Sequence, residues 1–309
     1  MNDTTCLSSF GERYLTAPDL FPARRAGEPW GDQEVVVQFA GGAYRFRGMG
    51  AAQADQVRER YGSGQDHAAD GTGAVDIAIF RAPPDEFLPL RYEGTEYRWD
   101  MDYAEAAVRL AGDGFMARID RAPRLAAAIW VANGEGPLPL NTLENCFRVV
   151  VAYRLLELGG MLLHSSGVVW DGAARLFVGP SGAGKTTVAR LGLGVGFEVL
   201  SDDLNAVIPV DAGIIAEKVP FAGDLGRTPT RGARFPVVGI FRLHQAAAHR
   251  VEASSAASAV ASMIAAAPFL NADPCCADQL AHNAQSIAAG VATGRLHFAR
   301  DDGFWHLLP

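Results

Sequence analysis

The sequence predicts an α/β protein in two parts, a β-rich α+β domain followed by a phosphate-loop domain, and three observations carry that expectation. Short alternating apolar segments separated by turn residues fill residues 34–130. An apolar strand-like run, a glycine-rich loop and a helix-like run follow one another over residues 176–193. The chain of 309 residues is 49% hydrophobic, enough to bury more than one core, so two domains are expected rather than one.

The first domain is assigned residues 1–135, a linker with a connecting helix 136–160, and the second domain 161–309. Residues 1–32 read as an irregular lead-in with Phe10, Leu20, Phe21 and Trp30 scattered through it. Glu34–Gln38 and Ala43–Arg47 flank Gly41-Gly42, a hairpin signal. A short helix is expected over Ala52–Tyr61, then a polar loop, Gly62–Gly73, in which His67 faces solvent. Strands follow at Val75–Phe80, Tyr97–Met101, Ala106–Leu110, Phe115–Ile119 and Leu125–Trp130. Turns at Pro83-Pro84, Gly94, Asp113-Gly114 and Ala122-Pro123 divide them closely, which favours an antiparallel sheet. Asp100 and Asp102 alternate along one strand and read as a solvated face. Nothing here forms a catalytic constellation, and the domain reads as a recognition or regulatory one. Asn133–Leu140 is a Gly/Pro-rich linker; Asn141 with Glu144 forms a capping-box-like start to a long helix that Gly159-Gly160 ends.

The second domain opens with a strand, Met161–Trp170, that contains His164, then the two-residue turn Asp171-Gly172 and the run Leu176-Phe177-Val178. Next comes Gly179-Pro180-Ser181-Gly182-Ala183-Gly184-Lys185-Thr186-Thr187, a complete G-x-x-x-x-G-K-[ST] pattern in the strand-to-helix setting it requires. Its glycines let successive backbone N–H groups wrap a phosphate, and the helix N-terminus adds partial positive charge to the same anion. Lys185 supplies a point charge for the outer phosphates and Thr186 a hydroxyl for Mg²⁺. The alternative is a glycine-rich turn that merely caps a helix. Gly192, Gly194 and Gly196 resemble a dinucleotide fingerprint but stand at a helix C-terminus, where capping and a tight return are the better reading.

The strand Phe197–Leu200 ends in Ser201-Asp202-Asp203. Paired carboxylates at a strand's C-terminal end, one crossover after a phosphate loop, stand where an α/β sheet presents its ligand groups. One can hold Mg²⁺ while the other takes the proton from an attacking hydroxyl; the bland alternative is a helix N-cap or turn. His164, taken alone, is either a satisfied core histidine or a polar partner of this site. Arg227, Arg231 and Arg234 fall in a Gly/Pro-rich loop, from which a mobile cation could cover a transferring phosphoryl group. Beyond it, Phe235–Leu243 reads as a strand, Ala253–Ala267 and Ala277–Ala289 as helices, and Arg295–Phe298 with Phe304–Leu307 as a hairpin turning at Asp302-Gly303. His244, His249, His282, His297 and His306 lack i, i+4 spacing and carry no assigned chemistry.

A formal charge of −8 without a Lys/Arg cluster argues against nucleic-acid binding. The start of the chain shows no basic segment followed by an apolar run, and the apolar stretch Phe147–Leu163 is broken by Arg148, Arg154 and Glu157, so no membrane span is expected and the cytoplasm is the expected compartment. Cys6, Cys146, Cys275 and Cys276 have neither C-x-x-C spacing nor a neighbouring His set, so reduced thiols and no zinc site are expected.

His164, the loop Gly179–Thr186 and Asp202-Asp203 together resemble the C-terminal domain of the HPr kinase/phosphorylase family, with similar spacing from about Leu163 to Val207. Val219-Pro-Phe-Ala-Gly-Asp224 is similar to the P-[FW]-x-G-E segment of HPr-kinase-related proteins, Asp224 standing where a Glu is usual, and Phe298–Leu308 resembles their closing strands. The resemblance covers about half the chain and implies a fold of the HPr-kinase/PEP-carboxykinase type, ATP and Mg²⁺ as ligands, and transfer to a hydroxyl. It implies Lys185 and Thr186 on phosphate and metal, Asp202 as base, Asp203 as the metal-linked carboxylate, His164 as neighbour to the acidic pair and Asp224 as a further acidic group near the metal. The implied acceptor is a Ser or Thr of a peptide or protein, and the chain looks closer to relatives tied to peptide natural products such as lasso-peptide precursors. A small-molecule alcohol kinase and a nucleotide-gated binding module remain open as readings, as do a homo-oligomer and reversal by inorganic phosphate. The N-terminal half does not read like the family's sensor domain, and the E-I-R-G-type signature after the Asp pair is missing.

Overall fold

Residues 14–15, 28–62, 73–84, 87, 99–112, 114–132, 140–226 and 234–309 are described by a computed structural model of the chain. The chain is α/β, with two mixed sheets and few helices. It divides into two compact units: residues 1–38 with 42–150, and residues 39–41 with 151–309. Among the described residues no helix is long and apolar enough to cross a membrane.

In the first unit β1 (Gln33–Gln38) and β2 (Ala43–Met49) form the expected antiparallel hairpin, and Ala40, Gly41 and Gly42 turn the chain with positive φ. Helix α1 (Ala51–Tyr61) buries Ala54, Val57 and Tyr61, the i, i+3, i+7 stripe of an amphipathic helix. It then delivers β3 (Val75–Ala82) parallel to β2. The remaining strands are β4 (Trp99–Tyr103), β5 (Ala107–Gly112), β6 (Phe115–Asp120) and β7 (Ala126–Ala132), in sheet order β1-β2-β3-β7-β6-β5-β4. This corrects the antiparallel expectation. β7 returns beside β3 in parallel, and α1 supplies the crossover that a parallel β2–β3 pair requires, so the sheet is mixed. Asp102 does not simply face water; it pairs with Arg109 directly across the β4–β5 ladder.

Helix α2 (Leu140–Glu157) presents Phe147 to Tyr44, Phe46 and Tyr61 at centroid distances of 5.1, 4.9 and 5.2 Å. The Glu144 carboxylate is buried against Arg60 and Arg148, and the Asn141 side chain of the proposed capping box lies outside the described residues. The helix ends as expected: Gly159 has φ +76°, its N–H donates to the Leu156 carbonyl, and the Gly160 N–H reaches the Leu155 carbonyl at 2.8 Å. The linker 133–139, the loop holding His67, Gly94 and Asp113 also lie outside the described residues, as do Cys6 and most of the lead-in.

The second unit is built around β8 (Met161–Trp170). Asp171 and Gly172, both with positive φ, turn it tightly into β9 (Ala173–Val178), antiparallel to it. The glycine-rich loop leads to α3 (Lys185–Gly194), which buries Val188 and Ala189 against Val168, Phe177, Val199 and Phe241. Gly196 then makes the expected tight return, the Phe197 N–H donating to the Gly192 carbonyl. The strand that follows, β10 (Glu198–Ser201), does not join β9; it pairs antiparallel with β8, and β11 (Leu204–Val210) continues along β8 on the far side of the Asp202-Asp203 bend. β8 therefore lies between the loop strand and the strand that bears the aspartates. β12 (Gly213–Lys218) and β13 (Arg234–Gln245) continue from β11, and β13 also runs parallel to β9, so the pairing path returns to its start.

Three elements depart from expectation at the C-terminal end. Arg250–Ala253 forms β14, and the helix after it, α4 (Ala256–Ala265), begins only where Ser255 caps it. Helix α5, Ala277–Gly290, stands where expected. β15 (Ala292–Phe298) pairs parallel with β13 and antiparallel with β14, so no hairpin to 304–307 exists. Phe304 and Trp305 instead turn inward on a 3₁₀ turn and fill the core beside Trp170 and Phe197, where aromatic burial outweighs a ladder that has no free edge to join.

Candidate functional site

The glycine-rich loop leaves the end of β9 and enters α3 at Gly184, whose φ of +105° is left-handed. A Cβ there would stand 2.7 Å from the Phe298 ring, so both the dihedral and the space demand glycine. Gly182 is also left-handed, at φ +77°. The Lys185 ammonium folds back over the loop and donates to the carbonyls of Gly179 (3.0 Å) and Pro180 (3.3 Å). Burial lowers its pKa from the ordinary lysine range, and the nearby Asp203 charge opposes that shift. From the end of β13, Gln245 donates to the Gly182 carbonyl at 2.7 Å and steadies the loop from the neighbouring strand.

The acidic pair owes its shape to Ser201. Its Oγ accepts the N–H groups of Asp203 (3.1 Å) and Leu204 (3.2 Å), a local turn that breaks the strand and projects the carboxylates. Asp202 is buried: Oδ1 accepts the Leu225 N–H at 3.3 Å, while Oδ2 has no hydrogen-bond partner among the described residues. A buried orphan carboxylate oxygen is costly, and it is the kind of feature that marks a group kept for a ligand or reaction. Gly223 packs directly on this carboxylate, where a Cβ would collide with Asp202 Oδ1. Asp203 is half-buried, its Oδ1 lying 3.5 Å from His164 Nε2. His164 is held by its backbone, which donates to the Ala266 carbonyl at 2.7 Å, and its partly exposed ring is not a core histidine. Asp224 accepts the Thr186 hydroxyl at 3.5 Å.

These groups converge on one cleft of about 570 Å³, lined by His164, the loop residues Ser181, Gly182 and Gly184–Thr187, Asp202, Asp203, Asp224, Gln245 and Arg300, while Ala183 is not part of its lining. Gly179 and Pro180 do not line this cleft; their carbonyls accept from the Lys185 ammonium. Lys185, Thr186, Asp202, Asp203, Asp224 and His164 are thus brought together. Arg234 is not: it opens β13, and its Nε sits 3.0 Å from the buried Glu217. Arg227 and Arg231 lie outside the described residues. Sequence reasoning missed Ser201, Gly223, Gln245 and Arg300. Gln245 ends β13 and Arg300 follows β15, strands whose place beside the loop only the pairing of β13 with β9 and β15 reveals.

Among the described residues no group of three or more His, Cys, Asp or Glu side chains forms a metal cage. The donors that do gather, a threonine hydroxyl and carboxylates, are hard oxygens of the type Mg²⁺ takes when phosphates and water complete its shell. The described cysteines, Cys146, Cys275 and Cys276, form no disulfide with one another, and the Cys276 thiol donates to the Asp273 carboxylate at 3.3 Å.

Residues 140–285, just under half of the chain, match the model of a family described as SynChlorMet cassette protein ScmC. The matched stretch takes in α2, the glycine-rich loop, the acidic pair and most of α5. No curated protein matches the chain.

Proposed function

We propose that the protein is an ATP- and Mg²⁺-dependent kinase that transfers the γ-phosphoryl group to a Ser or Thr hydroxyl of a peptide or protein, with a second unit of the HPr-kinase/PEP-carboxykinase type, acting in the cytoplasm. The observation that carries this reading is the buried Asp202 carboxylate, one oxygen of which has no partner among the described residues, in the same cleft as the loop and Lys185.

Each residue has a role that its surroundings support. The loop from Gly179 to Thr187 would wrap the β- and γ-phosphates, and Lys185 would exchange its contacts with the Gly179 and Pro180 carbonyls for phosphate oxygens. Thr186 with Asp203 and Asp224 would hold Mg²⁺, which when bound neutralises charge on the phosphates. Asp202 would accept the proton of the acceptor hydroxyl as its oxygen forms a bond to the γ-phosphorus and the bond to the β-phosphate oxygen breaks, releasing ADP. His164, beside Asp203, would orient that carboxylate. Catalysis is then positioning and charge neutralisation.

Incubation with ATP, Mg²⁺ and a library of Ser- and Thr-containing peptides, read by mass spectrometry for the gain of one phosphate, tests the reading. Asp202→Asn should bind nucleotide within about twofold of the parent while transfer falls by a factor of roughly 10² or more; Lys185→Ala should weaken nucleotide binding and transfer together. Steady ATP loss with no labelled peptide would favour a nucleotide-gated module, and equal loss of nucleotide affinity in both variants would make Asp202 structural.

A further inference from the structure

A second cavity, of about 420 Å³, shares His164 and Ser181 with the cleft. Its walls are largely apolar, formed by Val178, Pro180, Ala265 and Ala266. The fold builds it deliberately: the bond from the His164 N–H to the Ala266 carbonyl ties the end of α4 to β8, next to the first residues of the loop. One full charge faces it. Arg242 lies opposite Val178 in the β9–β13 ladder, and because Phe241 and Leu243 point into the core around α3, Arg242 projects from the other face of the sheet. It is exposed and has no hydrogen bond or ion pair among the described residues; the titratable side chains lining the cavity are Arg242 and His164.

We propose that this cavity receives the phosphoryl acceptor and that Arg242 selects a carboxylate carried beside the acceptor hydroxyl; this rests on the kinase reading of the adjoining cleft. A guanidinium presents a planar fork that matches a carboxylate, and apolar walls strengthen such a pair relative to water. A monoanion suits the place better than a phosphate dianion, because Asp202, Asp203 and Asp224 line the neighbouring cleft. His164 and Ser181 stand where the two spaces join, so a hydroxyl held from the Arg242 side would enter the cleft between the loop and the aspartates. The cavity volume lies within the range of sites for small molecules and short peptide segments.

The test is calorimetric binding to the full-length protein, with Mg²⁺ and a non-hydrolysable ATP analogue present, of four pentapeptides built around a central or terminal Ser. In one pair Ser is flanked by Glu or by Gln; in the other it ends the peptide as a free acid or as an amide. At least one acidic member should bind roughly tenfold tighter than its neutral mate, and which pair shows the difference identifies the carboxylate as side chain or terminus. Arg242→Gln should erase the preference and Arg242→Lys should keep part of it, both without change in affinity for the analogue. Ala265→Trp, which fills the cavity, should weaken every peptide. Equal binding of acid and neutral partners, a preference that survives Arg242→Gln, or no peptide binding would each overturn the proposal. Failure of the kinase reading is distinguishable, because it appears as failure of the analogue to bind or as indifference of its binding to Lys185→Ala.

Discussion

Asp202, with Gly223 packed on its carboxylate, and Gly184 in the loop concentrate the chemistry into a few atoms. Gly223 lies on the Asp202 carboxylate so closely that any Cβ must displace it. Gly223→Ala should therefore reduce transfer by a factor of roughly 10², since displacement of a reacting group by about 1 Å has that effect. Nucleotide affinity should stay near that of the parent, a contrast that titration and rate measurements on the same preparation would reveal. At Gly184 the dihedral and the Phe298 ring both oppose a side chain. Gly184→Ala is expected to destabilise the fold by about 1–3 kcal/mol and to abolish nucleotide binding; adding Phe298→Leu should recover part of the stability but not the binding, because the left-handed strain persists. The candidate residues themselves were legible in the sequence, because the loop pattern, Asp202-Asp203 and His164 are local in spacing. The roles of Ser201 and Gly223 were not, because a hydroxyl that bends its own strand and a glycine under a carboxylate look like ordinary turn residues until the chain is folded.

Elements with a local cause were legible too. Hairpins at Gly41-Gly42 and Asp171-Gly172 and the Gly159-Gly160 helix stop rest on backbone dihedrals that few residues tolerate. The parallel placement of β7 beside β3, and the separation of β10 from β9 by β8, depend on partners distant in sequence, and alternation alone does not name a partner. For the same reason Phe304–Leu307 read as a strand. Lys218, at the end of β12, offers a test at this scale. Burial lowers it to about 8, with Glu198 opposing. Unfolded, it should titrate near the ordinary lysine value of about 10.4. Between about pH 8 and pH 10 the unfolded chain then holds a proton that the folded chain has released, so stability from this residue rises with pH across that window. Urea unfolding at several pH values should show the rise, and Lys218→Met should flatten it; above about pH 10 buried tyrosines such as Tyr14, raised to about 12 by burial, act in the opposite sense.

For the whole molecule, the division into units does not follow the chain simply. Phe39–Gly41, the tip of the first hairpin, groups with the second unit. There the Ala40 N–H donates to the buried Glu217 at 2.7 Å, and Phe39 meets Phe221 edge-on at 6.1 Å. Phe39→Ala should destabilise that unit by about 3 kcal/mol; in hydrogen exchange, protection should fall in β11 and β12 while β5 and β6 keep theirs. The proposed activity depends on the loop that ends at Thr187 and the aspartates that line the same cleft. Titration of Mg·ATP analogue into the parent protein and Lys185→Ala tests that most directly. Micromolar binding that requires Mg²⁺ and weakens at least roughly tenfold in the variant is the expected result; no binding, or binding that ignores both Mg²⁺ and Lys185, would contradict it.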